Sequence, residues 1–463
     1  METPASRSGL ILSVNAGSSS LKISLFRLAF SLASLPHSHG LVKEPVELLL
    51  ESSITNISAP PALFSFKFTS VAQKRGRESK KEPVKSIHDH STAFAHFLDY
   101  LQQEADIDRS QIVHVCHRVV HGGDYLEPVT ITNESYDHIE RLSDLAPLHN
   151  GAALSVIKAC IKVLPDANAI AYFDTSFHRS IPHHIAYYAI NPEIAKKRGL
   201  KKYGFHGLSY AFILRTASAW LQKDPSDTNL LVMHLGSGAS VCAIQRGKSL
   251  DTSMGLTPLT GLPGATRSGG VDPSLIFHYT NRAGRITHDK SQAVDVQVTQ
   301  AEDILNKRAG WKAMTGTTDF GEIVKQMKIV GKRCEAEGRG WDNMSDEEKK
   351  WKMAFDIFAD RVCDFVGAYY VKLEGRVDAV VFSGGIGEHS IELREEVVRR
   401  MKCLGFALDT EKNATVDQTG GEVVEIGEKT DDGHRILVCR TDEQLEMARE
   451  CAQADRFWLP NSH

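Results

Sequence analysis

Two stretches of the chain share one pattern of apolar and polar positions. Residues 11–25 pass from an apolar segment through small polar residues into an alternating segment (ILSV, NAGSSS, LKISL), and residues 230–244 do the same (LLVM, HLGSGAS, VCAI). Each pattern predicts a β-hairpin whose tip exposes amides and hydroxyls, groups that can hold an anion. Because one hairpin opens each half of the chain, the repeat favours a duplicated domain with a phosphate loop in each copy.

A third segment combines a strand, a glycine turn and a helix. Residues 376–382 have the apolar character of a buried strand, residues 383–389 (SGGIGEH) break it, and residues 390–401 predict a helix. Glycines let a ligand approach the backbone closely, and the first amides of a helix attract anions, so this segment is a candidate nucleotide site. Apolar residues at helical spacing over residues 354–373 predict a core helix.

Two glycine-containing loops each carry one arginine. Arg267 lies in residues 261–270 (GLPGATRSGG) and Arg118 in residues 117–123 (HRVVHGG). A planar guanidinium matches pairs of phosphate oxygens, and phosphoryl transfer needs little from a protein beyond positioning and charge neutralisation. A capped turn with a surface salt bridge explains one such loop alone, but two of them beside the candidate phosphate loops favour phosphoryl transfer.

Composition narrows the class of protein and of partner. The chain has 463 residues, long enough for two or three domains, with 42% apolar and 24% charged side chains. Its 54 basic and 58 acidic side chains nearly cancel, which excludes nucleic acid or an anionic membrane as the main partner. The eight cysteines form no CxxC pair, no apolar run reaches membrane-helix length, and no leader pattern opens the chain, so the expected location is cytoplasmic.

Two segments are predicted to be peripheral. Residues 36–90 are rich in serine and proline and contain a charged run at residues 74–85, for which a solvated loop is favoured over a nuclear signal or a docking patch. Residues 325–352 are similarly charged and are predicted to form a surface excursion with some helix.

Eight motifs follow one another in a fixed order along the chain. They occupy residues 15–22, 117–123, 145–150, 173–178, 203–207, 252–273, 383–390 and 441–444. In this order they resemble the acetate kinases over most of the chain. The resemblance implies an α/β fold of two duplicated ribonuclease-H-like domains, of the actin, hexokinase and Hsp70 type, around a central cleft. It implies an N-terminal domain of residues 1–176 plus 445–463 with the insert at residues 36–90, and a C-terminal domain of residues 177–444 with the nucleotide site and a dimer interface.

The activity implied by this resemblance is reversible, direct in-line transfer of the ATP γ-phosphoryl group to acetate, giving acetyl phosphate and ADP. Mg²⁺ would be the metal, with Mn²⁺ as a substitute, and the protein would be a homodimer without nucleic-acid or membrane partners. A propionate or butyrate kinase and a pyrophosphate-dependent acetate kinase remain alternatives, because they differ only in the acyl pocket or the adenosine site. A non-catalytic nucleotide-driven clamp of the same superfamily would not need the paired arginines.

The resemblance also assigns roles to individual residues. The catalytic set is Arg118, Arg267, His206 and Asp174, with His149 as a less certain phosphate contact. The acetate pocket is formed by Arg118, Val120, Leu148, Phe205 and Pro258. The ATP-binding set is Asn15, Ser18, Ser20, Lys22, His234, Gly236, Ser237, Gly238, Gly384, Gly385, Ile386, Gly387 and His389. The metal set is Asn15, Asp174 and Glu443.

Three positions and one segment depart from the commoner pattern of the family. Ser237 and His389 stand where asparagine is frequent, Gly151 stands where proline is frequent, and residues 261–266 lack a Met-Gly-Thr ending. No departure removes a charged catalytic group. The contacts to the nucleotide are affected most, because a hydroxyl and an imidazole replace two amides.

Overall fold

The computed structural model describes residues 7–17, 19–29, 44–69, 76–142, 147–279, 299–429 and 433–458, without the side chains of residues 147–149. The described residues divide into two compact units. Met1–Ser176 and Asp442–His463 belong to the first, and Phe177–Thr287 and Val298–Thr441 belong to the second. The second part of the first unit therefore begins at Asp442, three residues before the boundary that the sequence predicts at residue 445, and it includes Glu443.

Strands form one mixed sheet in each unit. The strands of the first unit are β1 (Leu10–Gly17), β2 (Ser20–Leu28), β3 (Val46–Thr55), β4 (Ala62–Phe68), β5 (Ser79–Val84), β6 (Ile112–Val119), β7 (Val129–Thr130) and β8 (Asn168–Phe173). Those of the second unit are β9 (Leu230–His234), β10 (Ser240–Gln245), β11 (Lys248–Thr252), β12 (Ala379–Ser383), β13 (Val423–Glu425) and β14 (Ile436–Cys439). The sheet orders are β5-β4-β3-β2-β1-β6-β8-β7 and β11-β10-β9-β12-β14-β13.

The two sheets repeat one topology. In the first, β1 is antiparallel to β2, β2 is antiparallel to β3, and β1, β6 and β8 run parallel, with β7 antiparallel at the edge. In the second, β9, β10 and β11 are antiparallel, β9, β12 and β14 run parallel, and β13 is antiparallel at the edge. Both predicted hairpins are present, as β1–β2 and β9–β10. The expectation of a duplicated α/β fold is therefore confirmed.

Helices connect the strands and cover the sheets. They are α1 (His90–Ala105), α2 (Asn133–Leu142), α3 (Pro147–Val163), α4 (His183–Ala186), α5 (Pro192–Arg198), α6 (Gly207–Trp220), α7 (Leu275–Tyr279), α8 (Gln300–Lys307), α9 (Gly310–Thr315), α10 (Phe320–Ala336), α11 (Asp346–Lys372), α12 (Gly384–His389), α13 (Ile391–Met401), α14 (Thr410–Thr415) and α15 (Glu443–Gln453). The predicted core helix is the second half of α11, where Phe358, Val362 and Val366 are buried against the second sheet.

The segment predicted as a peripheral insert belongs largely to the first sheet. Strands β3 and β4 extend the sheet beyond β2, and Phe64 and Phe66 are buried in its core. Residues 79–84 of the charged run form edge strand β5, so the expectation of a solvated loop is wrong there. The physical signal was the alternation of aromatic and polar residues in β4, which is typical of a half-buried strand.

The second charged segment is more ordered than the sequence analysis predicted. Residues 325–352 fall mostly within α10 and the start of α11, and Val330 and Cys334 are buried. Their polar residues cover the outer face of packed helices. All eight cysteines are free thiols and six of them are buried, as expected. Among the described residues no helix is both long and apolar enough to cross a lipid bilayer.

Candidate active site

Three parallel strands of the first unit end beside one another and deliver three of the predicted residues. Asn15 lies near the end of β1, Arg118 is the penultimate residue of β6, and Asp174 directly follows β8. Because the carboxyl ends of parallel neighbours meet at one edge of a sheet, these residues are brought together by topology. The amide of Asp174 donates to the carbonyl of Val119 at 3.1 Å and fixes this turn.

The side chains at this edge form one hydrogen-bonded array. Arg118 Nη2 lies 2.6 Å from Asp174 Oδ2, and Arg118 Nε lies 3.2 Å from Asp174 Oδ1, so the guanidinium holds the carboxylate with two bonds. Arg118 Nη1 donates to Asn15 Oδ1 at 3.2 Å and lies 3.3 Å from Glu443 Oε2. Asn15 Nδ2 donates to the same Glu443 oxygen at 2.8 Å.

Charge is held at this edge with little water around it. The side chains of Asp174, Glu443 and Arg118 are 0%, 14% and 18% exposed. Burial by itself lowers the pKa of Arg118, but the carboxylates of Asp174 and Glu443 outweigh it and raise the pKa above its ordinary value. The guanidinium therefore stays charged, and its interactions are stronger than those of an exposed pair.

Helix α15 supplies the fourth member of the array. Its N-cap is Asp442, whose carboxylate accepts a bond from an amide of the first turn, and Glu443 is the first helical residue. Burial raises the pKa of Asp442. The hydroxyl of Ser13 on β1 donates to the carbonyl of Gln444 at 2.9 Å. The helix is thus attached to the strand that carries the asparagine of the array.

The tip of the first hairpin was predicted to hold phosphate. Lys22 on β2 pairs with Asn15 on β1, and residues directly opposite in an antiparallel pair present their side chains on one face. The Lys22 side chain is exposed and Ser20 is half-buried. Ser18 lies outside the described residues.

In the second unit the arginine loop packs on the tip of the second hairpin. The guanidinium of Arg267 lies over Gly238, where a Cβ atom would overlap Nη2. The amide of Gly264 donates to the Arg267 carbonyl at 2.9 Å, and the amide of Ala265 donates to the Ser237 carbonyl at 2.8 Å. A side chain at position 238 would displace the end of the Arg267 side chain. The structure brings the predicted arginine loop and phosphate loop of the second unit together.

His206 is fixed beside the same hairpin. It precedes α6 with φ of 60°, and its Nδ1 lies 2.8 Å from Ser240 Oγ at the start of β10. The hydroxyl of Tyr210 also bonds to Ser240. The rings of His206 and His234 are 4.7 Å apart. Two predicted histidines therefore share one small area, with the Nδ1 side of His206 turned towards the protein.

The residues predicted to line the acyl pocket besides Arg118 are apolar, and those with described side chains differ in burial. Phe205 is 1% exposed, and its carbonyl lies 2.9 Å from His178 Nε2. Burial lowers the pKa of His178 to about 4, so this ring stays neutral. Pro258 is buried and Val120 is half-buried. Strand β6 ends one residue before Val120, so the side chains of positions 118 and 120 are not related by strand geometry. The side chains of Leu148 and His149 lie outside the description.

The glycine segment after β12 is a helix rather than an open turn. The amides of Ile386 and Gly387 donate to the carbonyl of Leu235 at 2.8 and 3.1 Å. The expectation that amides here face a ligand is wrong for these two amides, because both donate to the carbonyl of the residue that follows β9. Gly384 has φ of 73° and lies against the Leu235 backbone, whereas a Cβ on Gly385 would meet nothing within 4 Å. Gly385 is therefore the glycine of this helix that has open space beside it.

The remaining nucleotide candidates are at the surface. Ser237 is exposed, and His389 Nδ1 lies 2.8 Å from Asp417 Oδ1, with both side chains more than half exposed. A Cβ on Gly236 would lie 3.3 Å from the Gly238 carbonyl oxygen. The Ser237 carbonyl accepts from the amide of Ala265, so Ser237 and His389 each have at least one contact within the protein.

Several side chains that hold the site received no role from the sequence. Asn150 and Thr175 bond to the backbone after Arg118, and Ser240 and Tyr210 hold a histidine. Arg394, which is 1% exposed, donates to carbonyls of α12, and burial lowers its pKa to about 10. Asn150 and Thr175 stood inside quoted motifs, but only tertiary contacts reveal their function.

The residues of the first array fit a hydrated divalent cation. Within the described ranges no group of three or more His, Cys, Asp or Glu side chains could hold a metal ion. Asp174 and Glu443 nevertheless contact one guanidinium, and the Asn15 amide bonds to that guanidinium and to Glu443. Carboxylate and amide oxygens are the donors that Mg²⁺ prefers, and Mg²⁺ keeps several waters. A cation bound through water needs fewer protein ligands than a closed site does.

Comparison with known proteins gives a consistent result. Residues 10–449 match the model of the Acetokinase family. A probable acetate kinase of Emericella nidulans is 45% identical over 447 residues, 96% of this chain and 97% of that protein. A propionate kinase from Francisella tularensis has a TM-score of 0.74 at 31% identity, covering 96% of this chain and 98% of that one. Porphyromonas gingivalis acetate kinase has a TM-score of 0.71 at 28% identity, covering 96% and 98%.

Proposed function

Because the chain belongs to the acetokinase family, whose members transfer phosphate to a carboxylate, we propose that it transfers the γ-phosphoryl group of ATP directly to acetate. The reaction is reversible and gives acetyl phosphate and ADP. An acetate oxygen attacks the γ-phosphorus while the bond to the β-phosphate oxygen breaks. Since acetate is already ionised at neutral pH, no protein group has to remove a proton.

The observation that carries this proposal is the array around Arg118. A guanidinium at the edge of the sheet is oriented by Asp174 through two bonds and by Asn15 through a third. Preorganised charge of this kind stabilises a transition state without reorganisation during the reaction. We assign to Arg118 the carboxylate of acetate and the equatorial oxygens of the phosphoryl group.

The resemblance to the acetate kinases also assigns two residues of the second unit to phosphoryl transfer. Arg267 neutralises the charge of the phosphoryl group, and the packing on Gly238 supports a fixed position for this guanidinium. His206 donates a hydrogen bond from Nε2, since Nδ1 is directed at Ser240. We assign the Ser240 hydroxyl as the donor to Nδ1, which places the ring hydrogen on Nε2.

Mg²⁺ is the cofactor that the donor set supports. Asp174, Glu443 and Asn15 would hold it through water, and the bound cation would neutralise charge on the β- and γ-phosphates. Lys22 and Ser20 would hold γ-phosphate oxygens from the hairpin face that also carries Asn15. The nucleotide would lie beside Gly385, where the backbone leaves room.

The identity of the acyl group depends on Val120, Leu148, Phe205 and Pro258. A propionate kinase among the similar structures keeps propionate as the second candidate acceptor. Acetate is favoured because the relative with the highest identity quoted above, at 45%, is named a probable acetate kinase. We also propose domain boundaries near residues 176 and 442, a homodimer and a cytoplasmic location.

Steady-state formation of acyl phosphate tests the proposal. The purified protein is assayed with acetate, propionate and butyrate, each with ATP and with pyrophosphate as donor. We expect the highest kcat/KM with acetate and ATP, and turnover with pyrophosphate poor if present at all. A higher kcat/KM with propionate would reassign the acceptor, and efficient use of pyrophosphate would reassign the donor.

A further inference from the structure

The backbone that follows Arg118 is held by side chains rather than by the sheet. Strand β6 ends at Val119, yet the next backbone groups are bonded within the protein. Asn150 Oδ1 accepts from the amide of His121 at 2.9 Å, and Asn150 Nδ2 donates to the carbonyl of His121 at 3.0 Å. One asparagine side chain thus makes the pair of bonds that a neighbouring strand would otherwise supply.

A second contact fixes the next residue. The amide of Gly122 donates to Thr175 Oγ1 at 3.1 Å, and the amide of Gly123 lies 3.1 Å from His121 Nδ1. A Cβ on Gly122 would overlap the ring of Phe173. Three consecutive amides are therefore satisfied by side chains, and the glycine allows the loop to pack against the sheet.

These contacts are buried and cannot be replaced readily by water. Asn150 and His121 are 0% exposed and Thr175 is 5% exposed. Removing one partner of a buried hydrogen bond leaves the other partner unsatisfied, which is unfavourable. The loop is consequently held in one conformation at its far end by Asn150 and Thr175, and at its near end by Arg118.

We propose that Asn150 is a positioning residue that sets the acyl-chain selectivity of the enzyme by fixing Val120. Val120 lies between Arg118 and His121, the two anchored positions, so its backbone is restrained on both sides. A methyl-sized pocket discriminates by the position of its wall, and one methylene is worth about 10-fold or more in kcat/KM. This inference rests on the proposed function, because it concerns the acceptor of that reaction.

The test uses two independent changes in the anchor. Asn150→Asp keeps an acceptor for the His121 amide but removes the donor to the His121 carbonyl. Thr175→Val removes the acceptor for the Gly122 amide at nearly constant volume, and Thr175→Ser keeps the hydroxyl. We expect Asn150→Asp and Thr175→Val to raise the ratio of kcat/KM for propionate to that for acetate by about 3- to 10-fold, with the KM for ATP within about twofold. Thr175→Ser should keep the wild-type ratio.

A control separates positioning from general loss of stability. Ser52→Ala removes a buried hydrogen bond to the carbonyl of Ser65 on strands β3 and β4 of the same unit, and it should leave the acyl ratio unchanged. Equal loss of activity towards both acids in Asn150→Asp and Thr175→Val would overturn the inference. If one of these two variants does not fold, the ratio of kcat/KM for propionate to that for acetate in the other variant tests the inference. An acetate-active wild type with unchanged ratios in both variants refutes only the inference, whereas an inactive wild type refutes the proposed function.

Discussion

Replacing Arg118 by alanine tests the buried array in two separate ways. The change removes the guanidinium that holds Asp174, whose side chain is 0% exposed. It leaves a buried carboxylate without its partner, and breaking a buried pair in this manner costs about 3–5 kcal/mol. It also removes a charge contact to the phosphoryl group, which lowers kcat at least about 100-fold if it acts mainly in the transition state.

The expected loss of stability in Arg118→Ala can be converted into a change in melting temperature. A destabilisation of about 3–5 kcal/mol corresponds to roughly 6–20 °C for a unit of 150–250 residues. Differential scanning calorimetry measures this shift, and steady-state acetyl phosphate formation gives kcat on the same preparation. The double variant Arg118→Ala/Asp174→Asn removes the uncompensated charge, so it should regain much of the lost melting temperature while remaining inactive.

A surface pair of the same sheet provides the matched control. Arg27 pairs with Glu47 at 2.7 Å, but their side chains are 40% and 36% exposed. Such pairs contribute about 0–1 kcal/mol, so Arg27→Ala should change neither Tm nor kcat appreciably. A wild-type melting temperature in Arg118→Ala would refute the prediction, because it would show that the Arg118 guanidinium does not stabilise the buried Asp174 carboxylate. A normal kcat in the folded variant would remove Arg118 from the mechanism.

Three further predictions address the metal, the nucleotide and pH. Glu443→Ala should raise the Mg²⁺ concentration needed for half-maximal activity, because a carboxylate that places the hydrated cation is lost; an unchanged Mg²⁺ titration would exclude it from the metal site. Gly385→Gln should raise the KM for ATP and leave the KM for acetate near wild type. The control Gly367→Gln, at a helical glycine that also has open space, should change neither KM. Equal effects of the two substitutions on the KM for ATP would show that residue 385 lies outside the nucleotide site. Burial lowers the pKa of His114 to about 4 and of His117 to about 3. Below about pH 6.5 the unfolded chain therefore binds more protons than the folded protein does. The free energy of unfolding should fall as the pH falls from about 6.5 towards 4, by about 1.4 kcal/mol per pH unit for each ring. His114→Gln should make the dependence of Tm on pH shallower, and an unchanged slope would contradict this assignment.

The sequence predicted the residues of the first array but not their bonding. Arg118 was identifiable from its glycine-containing loop, whereas Asn15 and Asp174 were assigned through the resemblance to the acetate kinases. Parallel strands bring these three positions to one edge of the sheet. The direct bonds between Arg118 and the carboxylates could not be predicted, since rotamers depend on tertiary packing. The sequence likewise gave Asn150 no role, because a buried amide and a surface amide look alike in one sequence.

Secondary structure was misjudged where tertiary contacts overrode local preference. Residues 384–389 contain three glycines, which disfavour helix, yet they form α12. The Leu235 carbonyl accepts two of its amides, and Arg394 bonds to carbonyls at its end. In strand β5 the charged residues lie at a sheet edge, where exposed lysines protect against further pairing. Composition alone therefore suggested a loop.

The most direct test of the central claim is the stereochemical course at phosphorus. In the proposed mechanism the phosphoryl group passes directly from ATP to acetate in one step, with Arg118 and Arg267 neutralising charge and no protein nucleophile. ATP with an oxygen-isotope-labelled chiral γ-phosphoryl group is incubated with acetate, and the configuration of the acetyl phosphate is read by phosphorus NMR. The account predicts inversion of configuration. Retention would contradict it, because it requires two successive displacements through a phosphorylated intermediate on the enzyme.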